Sequence, residues 1–329
     1  MCSEPGQRGV ALISILLVVA IATVLATSMT ADQNILIHRS RNFFDQQQAL
    51  AYALGGEELA RQILKSDFDD RPERASLDQQ WANDELSFEF EQGKVELTIE
   101  DLQGRLNVNA LSLTGDAGQV TVIRFSTLMR QLGVDPVFLA RMEDWMDKDQ
   151  STRQLGAEDF DYLALDPPYR SASAIMEDKS ELRLLLDMDP ETYDKLMPYV
   201  CALPDPWTNI NVNTASPEVL QALVPGMTLE AAQGLAAARD ESGGFDSVEK
   251  FLQQPELAGR GVSPQGLGVQ SGFFRVSVRA RYGDRFAYLT SIIQRDKTDG
   301  KMRVVYRDAG RKILPVVKDE KDQTGEQGV

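Results

Sequence analysis

The chain has 329 residues, 43% hydrophobic and 26% charged, a balance that supports a packed core and excludes a disordered polymer. Its 34 Lys and Arg against 50 Asp and Glu give a formal net charge of -16, which repels nucleic-acid phosphates and anionic lipid and attracts cations. One histidine, His38, and two cysteines, Cys2 and Cys201, exclude His-based triads, His-rich zinc sites, disulfide scaffolds and four-thiolate metal centres.

No charge falls between Arg8 and Asp32, and Val10 to Met29 reads VALISILLVVAIATVLATSM. At roughly 1.5 Å per helical residue this run crosses the hydrocarbon of a bilayer, where backbone groups must pair within the segment, so a transmembrane helix is predicted. A cleaved secretory signal carries a shorter apolar run that ends in a small-residue cleavage site, so a retained anchor is expected. Arg8 lies before the span, Arg39 and Arg41 after it, and this charge pattern leaves the orientation open. From Ile35 to about Lys65 there is no proline, and Phe43, Leu50, Ala53, Leu54, Ala60 and Leu64 fall on one helical side. Glu57 shares that stripe, and Gly55-Gly56 is a place for a bend. Asp67 to Asp84 reads as a polar loop.

Alternation at Leu86, Phe88 and Phe90, then at Val95, Leu97 and Ile99 beyond Gln92-Gly93, predicts a hairpin. The pattern returns at Phe274, Val276, Val278 and Ala280, turns at Gly283-Asp284 and continues through Phe286, Tyr288 and Thr290. Met302 to Tyr306 offers a further strand. Between these parts, roughly Ala110 to Gly268, the sequence reads as helical, with Asp135-Pro136, Asp189-Pro190 and Ser216-Pro217 as N-cap and first-turn pairs. Leu106-Asn107-Val108-Asn109-Ala110 is echoed by Ile210-Asn211-Val212-Asn213-Thr214, which marks two equivalent strand-to-helix junctions. After the second junction, Leu220 to Leu252 resembles a helix-hairpin-helix around Pro225-Gly226. Thr228 occupies the position of the second glycine of DNA-binding versions, and Glu230 and Asp240 oppose a phosphate, so protein contact is favoured over DNA. Cys201 reads as a buried thiol.

The densest chemistry is the acidic loop. Glu143 to Asp166 holds eight carboxylates against Lys148 and Arg153. Such crowding raises carboxylate pKa values unless a cation neutralises it, and oxygen-only donors in a long loop suit Ca2+. Asp147-x-Asp149 looks like the start of an EF-hand loop, but the glycine and final Glu are misplaced. A solvated acidic loop and a cation site both remain open on composition alone. A glycosidase reading of these acids lacks an acid-base pair in contrasting environments.

The leader ending Gln7-Arg8-Gly9, the apolar QRGVALISILLVVAIATVLA stretch, the Asn-Val-Asn echo and the acidic insertion together resemble the GspK family, the large minor pseudopilins of the type II secretion system. The resemblance implies an α+β, type IV pilin-like fold: a long N-terminal helix packed on an antiparallel sheet, with a large helical insertion of sterile-alpha-motif-like units. It implies a prepilin leader over 1–9, cleaved by prepilin peptidase between Gly9 and Val10, with methylation of the new Val10 amine. The span and stalk helix would occupy 10–66, the sheet 85–109 and 269–314, the insertion 110–268, and a disordered tail 315–329. Ser14 stands at the fifth mature position, where ordinary pilins carry a Glu, and its lack of a carboxylate fits a filament tip. The family's calcium implies Asp147, Asp149, Glu158, Asp159 and Asp161 as ligands. Expected partners are GspI-like and GspJ-like minor pseudopilins, the peptidase, inner-membrane components of the secretion system and secreted proteins, with no nucleic acid. The expected setting is the inner membrane of a Gram-negative bacterium, single-pass, with the bulk of the chain in the periplasm and no enzymatic role. The alternative is a membrane-anchored DNA-uptake or DNA-binding protein using the hairpin; a membrane-anchored hydrolase comes third.

Overall fold

The computed structural model describes residues 7–83 and 86–310; the expected tail over 315–329 and Cys2 lie outside the described residues. Helix α1 runs unbroken from Gln7 to Asp70. Its side chains from Leu12 to Phe44 are exposed, and burial starts at Ala49. From there Ala49, Ala53, Gly56, Glu57, Ala60, Ile63, Leu64 and Phe68 turn inward at the three-to-four spacing of a helix face. Phe43 and Leu54 do not share this face: they are 61% and 41% exposed, because the sheet covers α1 only beyond Ala49 and only along the Ala53 side. The helix is not interrupted at Gly55-Gly56. Gly56 is instead where helix and sheet approach most closely, since an added Cβ would lie 2.7 Å from Val278 Cγ1 and 2.8 Å from Val95 Cγ1.

The helix also continues past Lys65 into the stretch expected as loop. Lys65 pairs with Asp69 one turn on, and Asp67 accepts hydrogen bonds from the backbone of Trp81 (2.8 Å) and Gln80 (3.3 Å). That pins the returning chain and buries Trp81 edge-on against Phe274, ring centres 5.4 Å apart.

The sheet has five strands in chain order, every neighbouring pair antiparallel: β1 (Leu86–Phe90), β2 (Gly93–Asp101), β3 (Phe273–Tyr282), β4 (Arg285–Arg295) and β5 (Met302–Asp308). Both expected hairpins form, with Phe90 opposite Gly93 and Tyr282 opposite Arg285. Alternation in β2 and β3 sends Val95, Leu97, Ile99, Val276, Val278 and Ala280 onto α1. Glu57 reaches β4 and β5 from this interface: Ser291 donates to its carboxylate, and Arg307 donates from Nε and Nη2 at 2.9 and 2.7 Å.

Between β2 and β3 lies the insertion, with its own continuous core. It contains α2 (Gly115–Leu132), α3 (Val137–Met146), α4 (Asp159–Tyr162), α5 (Pro190–Leu196), α6 (Pro217–Ala222), α7 (Leu229–Glu241) and α8 (Val248–Leu252). The segment is not helical throughout. Leu106-Asn107 pairs in parallel with Val200-Cys201, away from the five-stranded sheet, and Ile210-Asn211 pairs in parallel with Leu267-Gly268.

The Asn echo explains this symmetry. In each copy the first Asn accepts from the backbone N–H two residues on: Asn109 to Asn107 at 3.2 Å, Asn213 to Asn211 at 3.0 Å. The second Asn then clasps one distant residue by both its N–H and its carbonyl. Asn109 holds Met176 (2.8 and 2.8 Å), and Asn213 holds Phe245 (2.7 and 3.0 Å). A side-chain amide thus replaces a missing strand partner in a buried core, once per unit. Asp101, at the end of β2, ties the second copy to the sheet through Asn211 (2.9 Å), Thr214 (2.6 Å) and Ser271 (2.5 Å).

Candidate functional site

The acidic loop folds into a buried cluster at the C-terminal end of α3. Asp144 lies on the last turn, fully buried, Asp147 caps that end, and Glu158 (2% exposed) precedes α4. Carboxylate oxygens of the three lie within 4.8 Å of one another. A helix C-terminus already carries negative partial charge, so this placement raises the demand for a cation. Gly156 makes the room: a Cβ there would collide with Asp144 Oδ2. Trp145 and Tyr162, edge to face at 5.2 Å, wall the cluster from behind.

Arg153 is the cluster's own cation. Its Nη1 donates to Asp144 Oδ1 at 2.5 Å and to Asp147, while its backbone N–H donates to Asp144 Oδ2 at 3.1 Å. Burial works to lower the Arg153 pKa, but the bonds to Asp147 and Asp144 outweigh it and hold the group charged. One guanidinium leaves the site undercompensated. Asp147 Oδ1 and both carboxylate oxygens of Glu158 are buried with no hydrogen-bond partner. Burial, and then the charges of Asp144, Asp147 and Asp149, push the Glu158 pKa up to about 7. Glu143 alongside is raised as well, chiefly by burial. Three converging carboxylates, two of them with orphaned oxygens, are hard-oxygen donors suited to a divalent cation such as Ca2+.

Of the ligands expected from sequence, Asp147 and Glu158 meet here. Asp149, Asp159 and Asp161 stand outside the cluster. Asp149 accepts from the Ser151 N–H at 2.8 Å. Asp159 binds the Ser171 backbone and hydroxyl at 3.0 Å and Arg170 at 3.2 Å. Asp161 accepts from the Glu158 N–H at 3.0 Å, which closes the start of α4. Asp144 is the member absent from the ligand set expected from the sequence. Its spacing of three from Asp147, one helical turn, was the available clue.

The hairpin between α6 and α7 is built for packing. Gly226 takes φ +80°, while Thr228 caps α7, its hydroxyl accepting from the Ala231 N–H at 3.3 Å. Arg239, the basic residue of α7, is buried and spent on the Ala215 carbonyl (2.6 Å) and Asp240 (2.8 Å). Cys201 is buried and free, its thiol pushed up to about 12 by burial, which makes it inert.

At the other end of the molecule, α1 meets the length and hydropathy of a single membrane span, with none of its apolar window buried. Gly9 and Val10 lie in its first turns and Ser14 just beyond.

Models of type II secretion system protein K match residues 104–205 and 210–270. Type II secretion system protein K of Pseudomonas aeruginosa is 36% identical over 94% of this chain and 95% of its own length. The chain belongs to the type II secretion system protein K family. The Klebsiella pneumoniae family member is 39% identical over 76% of this chain and 80% of its own. A chain in the crystal structure of the GspK-GspI-GspJ complex from the enterotoxigenic Escherichia coli type 2 secretion system superposes with a TM-score of 0.73. That match has 29% identity and covers 83% of this chain and 100% of the other. Protein K is a structural pseudopilin, a non-enzymatic role, and the α+β pilin-like fold with its long first helix agrees with it. The two family models divide between the two Asn echoes, the same internal symmetry that the hydrogen bonds express.

Proposed function

We propose that this chain is the tip subunit of a periplasmic pseudopilus, inserted once in the inner membrane, and that it initiates filament assembly for export of folded proteins across the outer membrane. The observation that carries this reading is α1 itself. It is bare from Leu12 to Phe44 and laden from Ala49 onward, so one stretch is free for lipid and neighbouring helices while the other bears a broad head. Ser14 offers no carboxylate to neutralise the amine of a subunit stacked above, where an unpaired charge in hydrocarbon costs several kcal/mol. The insertion supplies bulk at the end away from the span. Minor pseudopilins like the GspI and GspJ of the GspK-GspI-GspJ complex are the partners for the exposed part of the stalk. Prepilin peptidase removes residues 1–9 between Gly9 and Val10, and the Val10 amine is methylated.

The metal reading rests on the orphaned oxygens of Asp147 and Glu158 beside Asp144. These side chains would hold a Ca2+ ion, which when bound supplies the positive charge that Arg153 alone leaves short. Asp149, Asp159 and Asp161 serve the loop that presents them.

Intact-mass and N-terminal sequencing of the chain from membranes tests the maturation step: a start at methylated Val10 with the span retained is expected. Crosslinking from a cysteine placed at the exposed Phe43 tests assembly. Adducts with two smaller pseudopilins, in one copy per filament, support a tip; adducts of this chain with itself along the shaft overturn it.

A further inference from the structure

Arg124, on α2, is a charge in an unusual place. It is 5% exposed, and among the described residues its one hydrogen bond runs from Nη2 to the Ser263 carbonyl at 3.1 Å. The other buried arginines are more fully engaged. Arg295, though its Nε is unpartnered, reaches the carbonyls of Leu64 and Ser271 and lies over the rings of Phe68 and Phe274, while Arg239 has Asp240. Burial alone lowers the Arg124 pKa, to about 10, with no neighbouring charge contributing. The group is therefore cationic at neutral pH, in a chain with 50 acidic residues, and without a carboxylate.

The guanidinium lines a cavity of about 80 Å³ where α2 meets the segments 206–210 and 265–266. No nitrogen of Arg124 is both sealed and unpartnered, so the unengaged donors open onto that cavity. Leu106, Ala117, Phe125 and Ile210 give it apolar walls, and Trp207, 67% exposed, stands at its rim. The backbone at Gly266 passes close to the guanidinium; a Cβ there would sit 3.1 Å from Nη1. A single water needs roughly 10–15 Å³ of such space, so the cavity admits a carboxylate with the first carbons of its stem.

We propose that this cavity binds a carboxylate carried on an apolar stem, with the Arg124 guanidinium taking the carboxylate and Trp207 covering the stem. The planar fork of arginine matches a carboxylate in two parallel hydrogen bonds, and a single cation in an acidic molecule favours a monoanion over a phosphate dianion. Exposed Trp beside a desolvated Arg is also the composition of an interface anchor. The site shares no residue with the acidic cluster or the stalk.

Calorimetric titration of the full-length chain in detergent micelles tests this with four probes: N-acetylphenylalanine, its amide, inorganic phosphate, and an end-capped peptide carrying one Asp beside a Phe. The expected result is saturable one-to-one binding of a carboxylate probe, with the amide and phosphate at least tenfold weaker and a change in tryptophan emission that Trp207→Phe abolishes. Arg124→Lys weakens binding at least tenfold, because an ammonium lacks the fork. Trp207→Ala, at an exposed position, weakens it with the melting temperature unchanged. Binding of the capped peptide identifies a side-chain carboxylate, whereas binding of N-acetylphenylalanine alone identifies a chain terminus. Equal affinity for acid and amide, no saturable binding of either carboxylate, or full affinity in Trp207→Ala overturns the proposal. Should Arg124→Lys fail to fold, the acid-to-amide ratio of the unmodified chain decides.

Discussion

Glu158 shows what one residue does to the chemistry of its loop. Its folded pKa of about 7 lies above the ordinary carboxylate value, so the unfolded chain ionises first as pH rises. Without a cation, stability present below about pH 4.5 is therefore lost as pH climbs towards 7, and levels off above. Added Ca2+ competes with the same proton, so its stabilisation grows across that window. Melting temperatures measured from pH 4.5 to 8, with chelator and with Ca2+, are expected to diverge as pH rises. Glu158→Gln should flatten the chelator curve and remove most of the calcium gain. The acid run was plain in the sequence, as was its affinity for a hard cation. Which acids converge was not, because that depends on Gly156 opening space for Asp144 and on Ser171 and the Glu158 N–H capturing Asp159 and Asp161.

Among elements, the two Asn clasps and the contact at Gly56 are the sharpest tests. Asn213→Ala strands the N–H and the carbonyl of Phe245 in a buried core, at a cost of about 1–3 kcal/mol. Asn109→Ala should cost about the same through Met176, and urea unfolding of both variants checks that equivalence. Gly56→Ala sets a methyl against Val95 and Val278, with an expected loss of about 1–3 kcal/mol from overpacking, whereas Gly55→Ala meets nothing within 4 Å and should be neutral or slightly stabilising. Both hairpins and the paired Asn junctions were legible because alternation and short-range polar motifs are local. The reach of α1 to Asp70 and the outward turn of Phe43 and Leu54 were not. They depend on where a sheet, built largely of strands from Phe273 onward, begins to cover the helix.

Across the whole molecule, Glu57 is a buried carboxylate in the seam between α1 and the sheet, held by Arg307 from β5 and by Ser291. Glu57→Ala leaves Arg307 without its partner and should cost about 2 kcal/mol. Hydrogen exchange should show β5 opening before the rest of the sheet, with the insertion core unchanged. The stalk and sheet share one core and the insertion has another. The first was visible in the sequence as alternating strands and a long helix; the second appeared there only as a stretch of helices, since its closure relies on two-residue parallel ladders too short to leave a period.

The insertion departs after Asp101 and rejoins at Phe273, on two strands that lie side by side with Asp101 opposite Phe274. A tug on the head therefore drags β2 and β3 lengthwise together, against β1 on one flank, β4 on the other and the stalk beneath. Ladders loaded lengthwise share the force among all their rungs at once, whereas a crosswise pull would open them singly. The head is thus harnessed to the sheet like a carriage on paired traces, and a pull along β2 and β3 meets their ladders in shear.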